Sequence, residues 1–285
     1  DLCNEQQIPS YSELILGLPH ETKETWLRGL CKLLESGQHN NIESWFLQML
    51  ENSELTQEKE EHEFDTVFLE NYYTSQEDFV EERAEIVRGT KYMPFSDLID
   101  SWMFSWLITN LHIYGWTQIY SIFLNKHKDI SYEEFYTTIL EKVKVDDSIV
   151  GMEYRKTKQR VNNYLEGNET IGYSGHTLLW DSQQEFHKNR NEVLKFTKSF
   201  FREFDITSDV ILAQEHFVTE YGVKELKISI DTNIYEFCYK NEPLESKTKT
   251  YKLKIKEPYD TEDDYMRMFY FKRRQGWGKY KILNF

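Results

Sequence analysis

Four apolar residues, Leu14, Ile15, Leu16 and Leu18, form a short and nearly continuous run near the start of the chain. A run of this kind predicts a strand covered on both faces. Gly17, Pro19 and His20 end it, and Thr22 is placed to cap a following helix, with Glu21 at the start where an acid is favoured. Apolar positions then recur at helical spacing in Trp26, Leu30, Leu33 and Leu34, predicting a helix from Lys23 to Ser36 closed by Gly37. A second strand is expected over Ile42 to Leu50. Strand, helix and strand in this order make a βαβ unit with parallel strands.

The pattern changes after Leu55. Thr56 to Glu63 is strongly acidic and reads as an exposed helix or loop. Short strands are expected at Asp65 to Tyr72 and Glu82 to Val87. Pro94 opens a long helical region, with Asp97 or Ser96 as cap and Leu98, Trp102, Trp106 and Ile108 at helical spacing. Further helices are expected at Tyr132 to Val145, Ser148 to Leu165, Ser182 to Phe204 and Ser208 to Tyr221, with a glycine-containing loop at Gly167 to Gly175. The last part returns to strands at Glu225 to Ile230, Tyr235 to Tyr239 and Thr250 to Ile255, then a helix at Glu262 to Arg273 and a strand at Lys279 to Leu283. No internal repeat is visible.

Composition narrows the class. With 285 residues, 39% hydrophobic and 29% charged, the chain has material for a packed core. The net charge of −15 argues against a broad nucleic-acid footprint and against docking on an anionic membrane. From Glu51 to Glu85 only Lys59 and Arg83 oppose the acid, whereas the stretch from Tyr251 onward is locally basic. The two regions either face each other or are solvated, and charge runs are usually solvated. The longest apolar stretch, Trp102 to Leu124, is interrupted by Asn110, His112, Gly115 and Gln118, so it reads as a buried helix or helix pair. Cys3, Cys31 and Cys238 are the three cysteines, and none lies at metal-ligand spacing from another. A cytoplasmic location is the simplest expectation, with no signal peptide.

Among candidate site residues, Gly17 and Pro19 carry the sharpest signal. Residues at the C-terminal end of a parallel barrel strand face the active site, and a glycine there lets backbone approach a ligand. A turn that merely links strand to helix is the plainer alternative. The eight histidines form no spaced metal pair, and His112, among apolar neighbours, reads as a satisfied core histidine. Trp102, Trp106 and Trp116 read as core, with a wall over a cavity as the alternative. Glu81, Glu82 and Glu85 suit a charged strand edge better than a substrate site. Arg273 to Lys279 is a basic turn, read either as an anion-binding turn or as a helix end leading into a strand.

Glu13 to Thr22, reading ELILGLPHET, resembles the strand-turn-helix of radical S-adenosylmethionine (SAM) enzymes, where versions of I-x-G-(L/F)-P-G-E-T recur. Gln48 to Leu55 is similar to that family's L-x-x-L-P-G-T/S-E-L at the end of the next barrel strand, at the separation one helix occupies. The lead-in Asn4 to Glu13 looks the same, and the resemblance covers residues 1 to 56, most closely the group with an upstream cobalamin-binding domain. It is weaker at Met103 to Trp106 and at His112, Gly115 and Trp116. His20 stands where the family has glycine, and Glu51-Asn52 where it has proline-glycine.

The resemblance implies an α/β fold: the C-terminal part of a partial (β/α) barrel of TIM type, followed by a mostly helical domain with a small terminal β-sheet. Its expected divisions are 1–56 for the barrel strands, 57–93 for an acidic connector and 94–285 for the helical region. It implies that Ile15, Gly17 and Leu18 contact the adenosine of SAM, that Glu13 faces the cavity, and that Leu47, Gln48 and Met49 flank the adenine. The family's [4Fe–4S] cluster needs three closely spaced cysteines, which this chain lacks; they are expected upstream, so the chain is read as part of a longer enzyme and inactive alone. Cobalamin is a further expected cofactor of the full-length protein. A small-molecule or peptide substrate and an electron-donor protein are the expected partners, with no nucleic acid and no membrane. The other readings are a non-catalytic scaffold using the aromatic helical region, and a tRNA-modifying relative, which the acidity disfavours.

Overall fold

A computed structural model describes residues 10–70, 83–171, 176–218 and 225–254. Cys3, the lead-in before Ser10, Glu81 and Glu82, the end of the Gly167 to Gly175 loop, and everything expected after Lys254 lie outside these residues.

The opening βαβ unit forms as the pattern predicts. Strand β1 (Tyr11–Leu16) and strand β2 (Asn41–Phe46) pair in parallel, with Tyr11 opposite Asn41 and Leu16 opposite Phe46. Helix α1 (Lys23–Glu35) joins them. Thr22 is its N-cap: the Thr25 amide donates to the Thr22 hydroxyl and the Thr25 hydroxyl accepts from the Thr22 amide, a reciprocal capping box. The buried face of α1 carries Trp26, Leu30, Cys31 and Leu34. The Trp26 indole N–H reaches helix α3 (Phe95–Leu107), donating to the Ser101 carbonyl at 3.1 Å and to Ser105 Oγ at 3.0 Å.

The second strand continues past Phe46. Strand β3 (Gln48–Met49) pairs antiparallel with β5 (Arg83–Gly89), which pairs in turn with β4 (Asp65–Glu70). The short helix α2 (Glu54–Gln57) lies between β3 and β4. Leu47 is the hand-over point, donating its N–H to Leu16 O and accepting the Val87 N–H, both at 2.9 Å. A strand residue presents its N–H and C=O to the same edge, so β1 and β5 occupy one edge of the Asn41–Met49 segment in succession.

The rest is mainly helical, as expected for a mixed α/β chain. The Trp102 to Leu124 stretch is a helix pair: α3 runs into a π-helical turn, Ile108–Ile113, and α4 (Gln118–Lys128) follows a short loop. Trp102, Trp106 and Trp116 are all core. Helices α5 (Tyr132–Val145) and α6 (Ile149–Leu165) begin at the side-chain caps Ser131 and Ser148. One hydrophobic cluster runs through this region, taking in Leu16 and Trp26 at one end of the sequence and Tyr251 at the other.

Three expectations are corrected. Helix α3 has Pro94 as its N-cap and no side-chain cap bond, so neither Ser96 nor Asp97 caps it; both lie within the first turn. The helix expected over Ser182 to Phe204 is three: α7 (His176–Lys188), α8 (Arg190–Lys198) and α9 (Phe201–Phe204). The first break falls at Asn189, whose side-chain amide donates to the Glu185 carbonyl at 2.9 Å and shares that acceptor with its own backbone N–H at 3.1 Å. The strand expected at Tyr235 to Tyr239 is a helix, α11 (Ile234–Tyr239), which follows α10 (Ser208–Phe217) and β6 (Glu225–Ile230). Tyr235, Phe237 and Tyr239 alternate as a strand would, but Ile234, Phe237 and Cys238 also share a helical face, and that face is buried. Strand β7 (Lys249–Lys254) pairs antiparallel with β6, without the intervening strand.

Candidate functional site: the end of the first strand

Parallel pairing sorts the side chains of β1 and β2 onto two faces. Leu14, Leu16, Ile42 and Phe46 turn toward α1 and α3 and join the main cluster. Tyr11, Glu13 and Ile15 share the other face with Asn41, Glu43 and Trp45. Along β1 that face is open, with Tyr11 64% and Ile15 47% exposed. Along β2 it is more covered; Glu43 is buried and accepts the Asn41 side-chain amide at 2.7 Å.

The turn after β1 is built by its own residues. Gly17 has φ +99° and His20 φ +64°, both in the region that favours glycine. The half-buried Glu21 carboxylate closes the turn, accepting the Gly17 N–H at 3.2 Å, while the Glu21 N–H donates to Leu18 O at 3.3 Å. Burial raises the Glu21 carboxyl above its ordinary range, against the pull of the Gly17 and Leu18 amides. The glutamate of this motif is therefore a clamp on the turn, beyond the helix-start acid that the sequence indicated.

The seven residues expected at the site fall into distinct settings. Glu13 and Ile15 are exposed on the open face, and Leu18 is exposed on the turn. Gly17 is packed: a Cβ there would lie 3.5 Å from both Leu98 and Val87. Leu47 and Met49 are buried with Phe64 and Val87 in a second, smaller cluster. Gln48 is exposed and pairs with Ile86, on the opposite side of the strand from its two neighbours. Glu85, expected on a charged edge, is held by Lys59 and by Thr66, whose hydroxyl donates to it at 2.6 Å.

Two groupings escaped the sequence. One lies against the turn: His20 and Tyr92 have ring centroids 4.6 Å apart, and His62 sits edge-on to His20 at 5.5 Å. The Glu58/His62 spacing of four residues was the available signal. The other is a buried polar network. His39 Nδ1 and His112 Nε2 share a hydrogen bond of 2.9 Å, and His112 Nδ1 lies 2.7 Å from the Tyr136 hydroxyl and 3.0 Å from Ser121 Oγ. His112, within the π-helical turn, is a satisfied core histidine, as read from its neighbours. No sequence spacing announces this network, because its members come from separate elements.

Among the described residues, no group of three or more His, Cys, Asp or Glu side chains can hold a metal ion. Burial pushes the Cys31 and Cys238 thiols up to about 12, away from the thiolate form a metal needs. Cys31 and Cys238 thus do not fit an iron–sulfur cluster. No described helix is long and apolar enough to cross a membrane.

No protein-family model matches the chain. Its relatives include a cobalamin-dependent radical SAM methyltransferase, as the ELILGLPHET and Gln48 to Leu55 resemblance implied. The chain is similar to the cobalamin-dependent radical SAM methyltransferase TokK of Streptomyces tokunonensis, 31% identical over 168 residues, which are 56% of this chain and 24% of that protein. It is also similar to the 2-(S-pantetheinyl)-carbapenam-3-carboxylate methyltransferase of Streptantibioticus cattleyicolor, 26% identical over 166 residues, again 56% of this chain and 24% of the relative. The chain thus matches about a quarter of the length of these curated relatives.

Proposed function

We propose that this chain is the C-terminal part of a cobalamin-dependent radical SAM methyltransferase, in which β1 and β2 are closing strands of a (β/α) barrel and their open face is one wall of the SAM site. The observation that carries this reading is the parallel β1–β2 pair, open on the Glu13/Ile15 face and ending in the clamped Gly17–Glu21 turn. In a barrel the face away from the helices looks into the lumen, and ligands gather where strands end. Ile15 and Leu18 offer apolar surface to the adenosyl group, Gly17 lets backbone come close, and Glu13 supplies an acceptor. Leu47 and Met49 support the rim from beneath, and Gln48 faces away.

SAM, when bound, supplies the methyl group or the radical that such enzymes use. The residues described here bind and orient it; the cluster is left to residues outside this chain, and cobalamin to another domain. The divisions 1–56, 57–93 and 94–285 belong to this reading, as do a small-molecule or peptide substrate and an electron-donor protein.

The test is calorimetric titration of the full polypeptide with S-adenosylhomocysteine, an unreactive analogue. Micromolar binding is expected, weakened at least tenfold by Ile15→Asp, which places a charge against the adenosyl group. Absence of binding, or an unaffected Ile15→Asp variant with native melting behaviour, would overturn the reading. So would an upstream reading frame without a closely spaced cysteine triad.

A further inference from the structure

His39 and His112 join two parts of the fold that the SAM site does not use. His39 lies two residues before β2 and is 6% exposed; His112 lies in the π-helical turn and is fully buried. Their 2.9 Å hydrogen bond, Nδ1 to Nε2, ties the start of β2 to the helical region. Two other bonds accompany it. The Gln118 side-chain amide, from α4, donates to His39 O at 2.9 Å and to His112 O at 3.0 Å. The Thr109 hydroxyl donates to Ile42 O at 3.4 Å.

A hydrogen bond between two imidazoles holds one proton. With both rings neutral, or with one charged, an N–H faces a lone pair across it. With both charged, each facing nitrogen carries a proton, and the bond becomes a contact between like charges. An imidazole ordinarily changes charge between about pH 5 and 8. In acid the unfolded chain takes two protons at these residues, and the closed pair takes at most one. The closed state therefore binds fewer protons, so its stability is complete at neutral pH and is lost as pH falls. Each proton so excluded lowers the closing equilibrium by about tenfold per pH unit.

The neighbours do not relieve the second charge. From α5, the Tyr132 ring stands 6.0 Å from His39 and 5.8 Å from His112, and the Tyr136 hydroxyl lies on His112 Nδ1. Cys31 of α1 acts on Tyr136, and Cys238 of α11 acts on Tyr132. Burial keeps these two phenols and two thiols neutral. Tyr239 of α11 donates to Gln118 Oε1, and α4 presents Gln118 and Ser121, which do not titrate. The carboxylates acting on this region, Glu35 at the end of α1 and Glu133 at the start of α5, are exposed, and Glu43 along β2 is engaged by Asn41. Their charge assists a first proton and leaves the contact between two imidazoliums in place.

We infer that the His39–His112 pair is an acid-opened latch: when both imidazoles are charged, the start of β2 parts from the π-helical turn while the helical core stays folded. His39 is the ring that leaves, since it sits at the rim and His112 is held from its other side by Tyr136 and Ser121. This does not depend on the proposed SAM site.

The experiment follows the full polypeptide from pH 7.5 to 5.0 by ¹⁵N-histidine NMR and by amide hydrogen exchange, expressed as protection factors. The pair should pass through a state with one charged ring. The second charge should coincide with a fall of at least tenfold in the protection of β2 amides, with those of α6 unchanged. His39→Gln keeps a side-chain oxygen able to accept from His112 Nε2 and removes the second charge, so its β2 protection should change less than about threefold over the same range. Wild-type β2 protection that persists to pH 5.0, with or without both rings charged, would overturn the inference. So would equal losses in wild type and His39→Gln. Should His39→Gln not fold, the wild-type titration decides alone, since loss of β2 protection must then track the second charge and not the first.

Discussion

Removing the Tyr136 hydroxyl gives the sharpest check on the buried network. The side chain is fully buried, and its OH lies 2.7 Å from His112 Nδ1 and 3.1 Å from Thr117 Oγ1 and donates to Ser121 Oγ at 3.2 Å. In Tyr136→Phe the ring still fills its space, so no cavity term enters. His112 Nδ1 keeps Ser121 Oγ, but among the described residues the buried Thr117 hydroxyl is left without a hydrogen-bond partner. Leaving such a group unmatched costs about 1–3 kcal/mol. A loss of about 2 kcal/mol corresponds to a fall of about 4–8 °C in melting temperature for a chain of this size. Thr117 caps α4 without a side-chain cap bond, so Thr117→Val removes the orphaned hydroxyl without removing a cap. The double variant should therefore be no less stable than Tyr136→Phe alone, a coupling of about 1 kcal/mol in the cycle. Urea unfolding followed by tryptophan fluorescence measures all four proteins. Simple additivity, or a Tyr136→Phe change under about 0.5 kcal/mol, would refute the reasoning, since it would mean the network is not closed in the way its distances imply.

Gly17→Ala has room for its methyl group but not the backbone, since φ is +99°, and should lower stability by about 1–2 kcal/mol in thermal melts; an unchanged melting temperature would contradict the turn geometry. The Asp100 carboxyl bridges Lys158 at 2.7 Å and Lys23 at 3.3 Å; burial raises it, but the two lysines win and hold it below its ordinary range. Its contribution to stability is thus present above the unfolded value and lost as pH falls through the lower folded value, so the gap between wild type and Asp100→Asn should close in acid and stay open at pH 7, as paired denaturation curves would register. Cys31 and Cys238, with thiols pushed up to about 12 by burial, should resist iodoacetamide at pH 8 in the folded protein and label only in urea, with peptide mass spectrometry as the readout.

What could be read from the sequence was local. Leu14 to Leu18 and the Thr22 cap suffice to place β1 and α1, because a strand of continuous apolar residues and a capped helix need no distant partner to be recognised. Gly17 could be singled out for the same reason, since its positive φ follows from the turn it makes. His62 could not: its place depends on how the 58–64 segment closes over the first turn, and only Glu58 was near it in sequence. Tyr235 to Tyr239 misled because alternate aromatics and a helical apolar face coincide over six residues, and burial of Ile234 and Cys238 decided between them. The open Glu13/Ile15 face was implied by family likeness, and parallel pairing gives it a physical basis.

Leu47 carries a consequence for the first turn. Two strands cannot run in one hydrogen-bonding lane, and β5 ends against Leu47 where β1 stops. The antiparallel hairpin therefore acts as a gauge block, setting how far Gly17 and His20 project. Added length in β1 would have to dislodge the hairpin before it could raise the turn, and so the height of this rim is held by residues from outside the motif that forms it.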